Sequence, residues 1–389
     1  MLFSGRFCRF FVLAALLSVT RELHGEPPDE SITAEELKPH VTYLASPERK
    51  GRDDWGKIEA GDYIIQHFRE FKLQPLFSDE YVQAVPDFSD DSHDPVILGR
   101  NIAGFVPGID PELKREWIII NAHYDHLGIR RGQVYAGADD NASGVSMLLE
   151  VARRFAARPG KRSMAFVAFD LEEHRLWGSR WFLAHCPIDQ DSIKFCLTAD
   201  MIGRSLGGLD LPTVFVMGSE TSAQGSQALD EAHIPKGLEL ARLGTDIIGI
   251  RSDYGPFWLE QIPFLFFSTG EHPDYHQPTD TIEKLDFAKA AKISTVIGEV
   301  ARTLSDNPDS LTWEVERAPD LSEVQAVNQV AAHLLAADDA GEFELTNVQR
   351  FYVSQVKAKS DYMLKHKKYS ASERKWLVRA TQLMMYSIF

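Results

Sequence analysis

From about residue 100 to residue 305, short runs rich in branched and aromatic residues alternate with stretches whose apolar positions recur every three or four residues. The runs at 101–106, 117–122, 164–169, 193–199, 213–217 and 263–268 predict strands. Between them, Val145, Leu148, Leu149, Ala152 and Phe155 share one face of a helix over 143–155, and a further helix over 287–304 closes the region. Upstream, Thr33-Ala34-Glu35-Glu36 has the form of a capping box opening a helix through Leu44, and a second helix is predicted over 58–71. Alternation of this kind implies an α/β fold, a central parallel or mixed sheet with helices on both faces.

The pattern changes after Ser305-Asp306-Asn307-Pro308-Asp309-Ser310, a cluster of helix breakers. Beyond it lie only helical periodicities, at 324–335, 348–364 and 372–387, which predict a helical extension over 306–389 packed on the α/β unit. The short basic run Lys365-His366-Lys367-Lys368 falls there and reads as solvated surface. At the other end, Arg6 and Arg9 precede an apolar stretch over 10–19, too short to span a bilayer. Residues 1–25 therefore read as an export signal, cleaved near Gly25, with the mature chain periplasmic or secreted and without a membrane span.

Composition narrows the function classes. The formal net charge is −16, and removing the signal, which carries a net +2, leaves −18. That balance argues against a nucleic-acid partner. Cys8 would leave with the signal; Cys186 and Cys196 lack the spacing of a zinc knuckle or redox motif, leaving open a disulfide or two free thiols.

The candidate chemistry follows three of the predicted strands: NAHYDHLG, FDLEEHRLWGS and TADMIGR. Sites in open α/β sheets gather at the carboxyl ends of strands, so these segments are placed to converge. His123 offers a neutral imidazole and Asp139, Glu173 and Asp200 offer carboxylates; with His276 they form an all-nitrogen and oxygen donor set suited to zinc, cobalt or manganese. Taken singly, each has a plain structural reading, a hydrogen-bonded histidine or an aspartate capping a helix. Their arrival together at strand ends is what favours a metal centre.

The segments HYDHLG, GADDNASG, FDLEEHRLWGS, ADMIGR, RSDYGPF and DYHQPTDT, in that order, resemble the co-catalytic dizinc aminopeptidases related to glutamate carboxypeptidase II and glutaminyl cyclase. The likeness spans roughly residues 33–305 and makes 26–305 the catalytic domain. It implies two zinc ions, with Asp139 bridging them, His123 and Asp200 completing one site and Glu173 and His276 the other. It also implies a cis peptide between Asp139 and Asp140. Glu172 would be general base and then general acid, and Asp125 would hold His123 in the required tautomer. Tyr275 would donate to the developing oxyanion, unless its ring simply packs beside the site. Arg251 would help organise acids around the amine of a peptide substrate with a free N-terminus, unless it forms a surface ion pair.

The other histidines, including His93, His126, His174, His185, His233, His272, His333 and His366, lack that ordered context and are read as non-ligands, with His126 and His174 lining the cleft. Relatives usually carry glycine three positions after the first glutamate of the Glu172-Glu173 pair; here Arg175 stands there, which bears on pocket size. The stretch over 82–100 has no room for the inserted protease-associated domain of some relatives. Hydrolysis of N-terminal residues, with a preference for apolar side chains, is the expected activity. Its rivals are one-metal glutaminyl cyclisation, carboxypeptidase action on acidic dipeptides and a non-catalytic binding scaffold. Retention of all five donors disfavours the first, the lack of a dedicated arginine set the second, and completeness of the donor set the third.

Overall fold

The computed structural model describes residues 31–87, 95–314 and 320–388, so the expected signal at 1–25 and His93 lie outside the described residues. The chain enters the fold through α1 (Ala34–Leu44), where the side chain of Thr33 accepts from the Glu36 amide and Glu36 answers to the amide of Thr33. That reciprocal cap satisfies two of the donors orphaned at a helix start. Helix α2 (Asp54–Glu70) begins four residues before the apolar periodicity does, because Asp53 caps it.

One mixed sheet organises the rest. Its strands are β1 (Gln74–Pro75), β2 (Val82–Pro86), β3 (Ile97–Val106), β4 (Trp117–His123), β5 (Ser163–Phe169), β6 (Ile193–Ala199), β7 (Thr213–Met217), β8 (Glu239–Leu243) and β9 (Phe264–Ser268). They lie in the order β1-β3-β5-β4-β6-β9-β7-β8, with β2 also paired to β3. The central four, β5, β4, β6 and β9, run parallel, and the antiparallel pairings lie outside them. Each of the six strands read from sequence is present, and their ends differ by only a few residues.

The two faces of the sheet divide the core. Along β4, Ile118, Ile120 and Ala122 point to the side covered by α1, α2, α3 (Gly144–Ala157), α5 (Ala223–Glu231) and α7 (Phe287–Asp306). Ile119 points the other way, towards α4 (Trp177–His185), α6 (Tyr254–Leu259), α8 (Leu321–Ala340), α9 (Asn347–His366) and α10 (Ala371–Ile388). Burial on both faces is why these strands read as nearly unbroken apolar runs. The C-terminal helices thus cover one face with Val324, Val327, Leu334, Val356, Leu377 and Met384. Arg374 of α10 pairs with both Asp246 and Glu323, tying α10 and α8 to the loop after β8.

Sequence periodicity missed α4, α5, α6, β2 and β8. The three helices are six to nine residues long, too short to show a face, and α6 contains Gly255 and Pro256. Strand β8 lies at the end of the strand order and is only partly buried, so its Glu239 and Arg242 mask the pattern. Cys186 and Cys196 are free thiols, and burial pushes both up to about 12. Among the described residues no helix is long and apolar enough to cross a membrane.

Candidate metal centre

The parallel arrangement of β5, β4, β6 and β9 sends four carboxyl ends to one edge, and each hands over to a segment bearing metal-competent groups. His123 is the last residue of β4, Asp200 follows β6, Glu172 and Glu173 come three and four residues after β5, and His276 lies in the loop after β9. A fifth contribution comes from the turn before α3, which carries Asp139 and Asp140.

Asp140, rather than Asp139, stands at the centre. Its Oδ1 lies 3.2 Å from His123 Nε2 and its Oδ2 lies 3.2 Å from His276 Nε2. On one side, His123 Nε2 is 3.4 Å from Asp200 Oδ1; on the other, His276 Nε2 is 3.2 Å from Glu173 Oε2. The sequence reading placed the central acid one residue early. Asp139 instead turns away, its Oδ1 accepting from the Gly203 amide at 2.6 Å and its Oδ2 lying 3.3 Å from His272 Nε2. The cis peptide is displaced likewise, joining Asp140 to Asn141. Successive side chains in this turn leave in different directions, so only one of two adjacent acids can face the cluster.

The turn is held by residues that sequence reasoning passed over. Arg52 is fully buried and donates to the carbonyls of Tyr124, Leu44, Ala136, Gly137 and Asp140. Burial lowers its guanidinium to about 10, against the pull of Asp140. Asp280, four residues after His276, accepts from the amides of Asp139 and Asp140, both at 3.1 Å. Asn141 donates to the Ala199 carbonyl at 2.9 Å, binding the turn to the strand that presents Asp200. Arg52→Met would leave four buried carbonyls and the partly buried carbonyl of Ala136 without that donor. We expect it to lower the unfolding free energy by at least about 3 kcal/mol, since each stranded buried group costs about 1–3 kcal/mol. Urea denaturation reads this directly, and a change under about 1 kcal/mol would remove Arg52 as the post of the turn.

Asp125 does more than face His123. Its carboxylate lies 3.6 Å from His123 Nδ1 and also accepts from the amides of Glu172 and Glu173, at 3.2 and 3.4 Å. With its backbone carbonyl 3.2 Å from His123 Nδ1 and its carboxylate on the two amides, this one residue ties the imidazole of β4 to the glutamate loop of β5. Tyr275 stacks on His276 with ring centroids 3.9 Å apart and is half-buried. Arg251 is half-exposed and paired with Glu271 at the surface. His126, read as lining the cleft, sits inside the cluster, with Nδ1 2.9 Å from Glu173 Oε1. His272, read as a non-ligand, faces Asp139 instead. His174 and Arg175 are exposed on the glutamate loop.

Several non-glycine residues beside these groups have positive φ: Leu171 at 57°, Arg175 at 62°, Leu176 at 59°, Met201 at 58° and His276 at 55°. Left-handed backbone costs such residues energy and is retained where surrounding contacts impose it. Arg175 thus occupies a conformation that glycine would adopt freely.

The electrostatics are those of a site short of positive charge. Burial, reinforced by Asp200, Asp253 and Glu173, holds the Glu172 carboxyl well above the usual carboxylate range despite His123 nearby. Burial likewise raises Asp253 to about 7. Asp140 goes the other way: against its burial, the imidazoles of His126, His123 and His276 hold it well below the usual range. Asp200 Oδ1, Glu173 Oε1 and both ring nitrogens of His126 are buried with no hydrogen-bond partner among the described residues. Buried acids need compensating cations, and the guanidinium of Arg52 is spent on backbone carbonyls.

The donors fit divalent ions. A tetrahedral ion with bonds of about 2.0–2.1 Å separates its donors by roughly 3.3 Å, close to the 3.2–3.4 Å spacings around Asp140. Two groups offer at least three ligand atoms within 4.8 Å of one another: His123 with Glu172 and Asp200, and His126 with Asp140 and Glu173.

Residues 101–301, just over half the chain, match the model of peptidase family M28. The chain belongs to peptidase family M28. The matched region of this M28 chain holds every candidate donor, while Arg52 lies outside it. Aminopeptidase YwaD of Bacillus subtilis is 29% identical over 185 residues, 43% of this chain and 36% of that protein. The uncharacterized protein YfbL of Escherichia coli is 27% identical over 204 residues, 45% of this chain and 63% of that protein. The matches therefore cover less than two thirds of the length of either relative. Among solved structures, the LapA aminopeptidase of Legionella pneumophila superposes with a TM-score of 0.54 at 19% identity, covering 72% of this chain and 73% of that one. BSAP, a zinc aminopeptidase from Bacillus subtilis, gives 0.56 at 16% identity, covering 74% of this chain and 100% of the medium-resolution structure. At such identities the structural likeness bears on the M28 fold alone.

Proposed function

We propose that this chain is an exported, metal-dependent aminopeptidase that removes N-terminal residues from peptides, using two zinc ions. The observation that carries the reading is the position of Asp140, with one carboxylate oxygen facing His123 and the other facing His276. Asp140 would bridge the two ions, His123 and Asp200 would complete one site, and Glu173 and His276 the other. Cobalt or manganese would suit the same donors.

Bound there, the ions would supply Lewis acidity and make a water molecule acidic enough to ionise near neutral pH. The chain's own groups do the rest. Glu172 takes a proton from the attacking water and returns it to the departing amine as the carbon–nitrogen bond breaks. Asp125 keeps His123 and the glutamate loop in register, and Tyr275, stacked on His276, would place its hydroxyl near the developing oxyanion. Arg251, paired with Glu271, is assigned the rim rather than the reacting centre.

Metal analysis combined with turnover of aminoacyl-anilides, N-blocked peptides and N-terminal glutaminyl peptides tests the reading. We expect about two ions per chain, activity lost on chelation and restored by zinc, and no cleavage when the amine is blocked. Cyclisation of glutaminyl peptides with one ion would replace the proposal with the cyclotransferase reading. A chain that binds no metal would replace it with a scaffold.

A further inference from the structure

The donor set above leaves out His126, a histidine only 2% exposed in the same segment as His123. Its amide donates to the Arg52 carbonyl at 3.2 Å, so the residue is fixed to the same buried post as the Asp140 turn. On one side the backbone is drawn against the ring: a Cβ on Gly137 would lie 2.5 Å from a His126 ring carbon, and Gly137 has φ +58°. The imidazole is thereby pressed towards the cluster, with Nδ1 2.9 Å from Glu173 Oε1 and 3.7 Å from Asp140 Oδ2. Its ring meets that of His276 edge-on at 5.9 Å between centroids.

The short approach to Glu173 does not have hydrogen-bond geometry, and both His126 Nδ1 and Glu173 Oε1 are left without a partner among the described residues. A buried imidazole with two unsatisfied nitrogens is a costly arrangement unless something else occupies the space it points into. The separations of 2.9 and 3.7 Å bracket the roughly 3.3 Å expected between two donors on one tetrahedral ion.

We propose that His126 Nδ1 is the fourth protein donor to the ion held by Asp140, Glu173 and His276. That position is then closed by four protein donors, two imidazoles and two carboxylates, while the His123 and Asp200 position keeps an open face. The inference rests on the two-ion reading above. It makes the two positions unequal: the closed one fills first, and the open one holds the exchangeable ion.

X-ray absorption on apoprotein given one and then two equivalents of zinc counts the imidazoles on each ion. The expected result is two imidazoles on the first ion, and in His126→Gln only one. The variant's first-ion affinity should also fall more than about 100-fold, beyond the 10–100-fold typical when an outer hydrogen-bond partner of a ligand is lost. A wild-type first ion with a single imidazole overturns the proposal even if the variant fails to fold, as does a variant with an unchanged imidazole count. Wild-type protein that saturates below two ions overturns the two-ion reading itself, an outcome distinct from two ions with one imidazole on the first.

Discussion

A Glu172→Ala variant is expected to keep the full metal complement of the wild type while turning peptide substrates over roughly 10²–10⁴-fold more slowly. The separation of the two effects follows from how the glutamate loop is held. The amides of Glu172 and Glu173, not the Glu172 side chain, donate to Asp125, so alanine leaves the loop and the neighbouring Glu173 donor in place. The Glu172 carboxyl meanwhile stands among His123 and Asp200 and is raised by burial, the setting of a group that exchanges protons. Single-turnover assays alongside metal analysis read both quantities. Loss of an ion would recast Glu172 as a ligand, and unchanged turnover would remove it as proton carrier.

The second large effect separates adjacent acids. Asp140→Ala should empty both metal positions and abolish turnover, because the carboxylate facing both histidines is gone. Asp139→Asn should retain two ions, since the Asp139 side chain serves the Gly203 amide and His272. Some loss of stability is expected there, as that contact docks the loop bearing His276 on the turn before α3. Zinc per chain after dialysis, with the melting temperature as a control for folding, gives the answer. Two ions retained by the Asp140 variant, or none by the Asp139 variant, would return the bridge to the position first read from sequence.

That one-residue displacement shows where sequence reasoning stops. The strands were legible because burial on both faces imposes apolar runs, as in Trp117–His123 and Ile193–Ala199. His123, Glu173, Asp200 and His276 were legible because each follows a strand in an ordered motif, and the structure brings all four around one carboxylate. Which of two neighbouring aspartates supplies that carboxylate depends on backbone dihedrals in a tight turn, and Asp139 and Asp140 are chemically identical on the page. Arg52 and Asp280 were invisible for another reason. They act through backbone carbonyls and amides far away in sequence, and such contacts leave no spacing to read. His126 lay in plain view three residues after His123, but its burial against Glu173 is a property of the folded cluster.

His276 and Asp280 belong to a single stretch of chain, one facing Asp140 from the solvent side and the other gripping the amides beneath it. A disturbance of that stretch removes an imidazole and unlatches the central carboxylate in the same event. The centre is therefore built to assemble and to fail cooperatively. Insertions between those two positions should therefore be rare in functioning homologues.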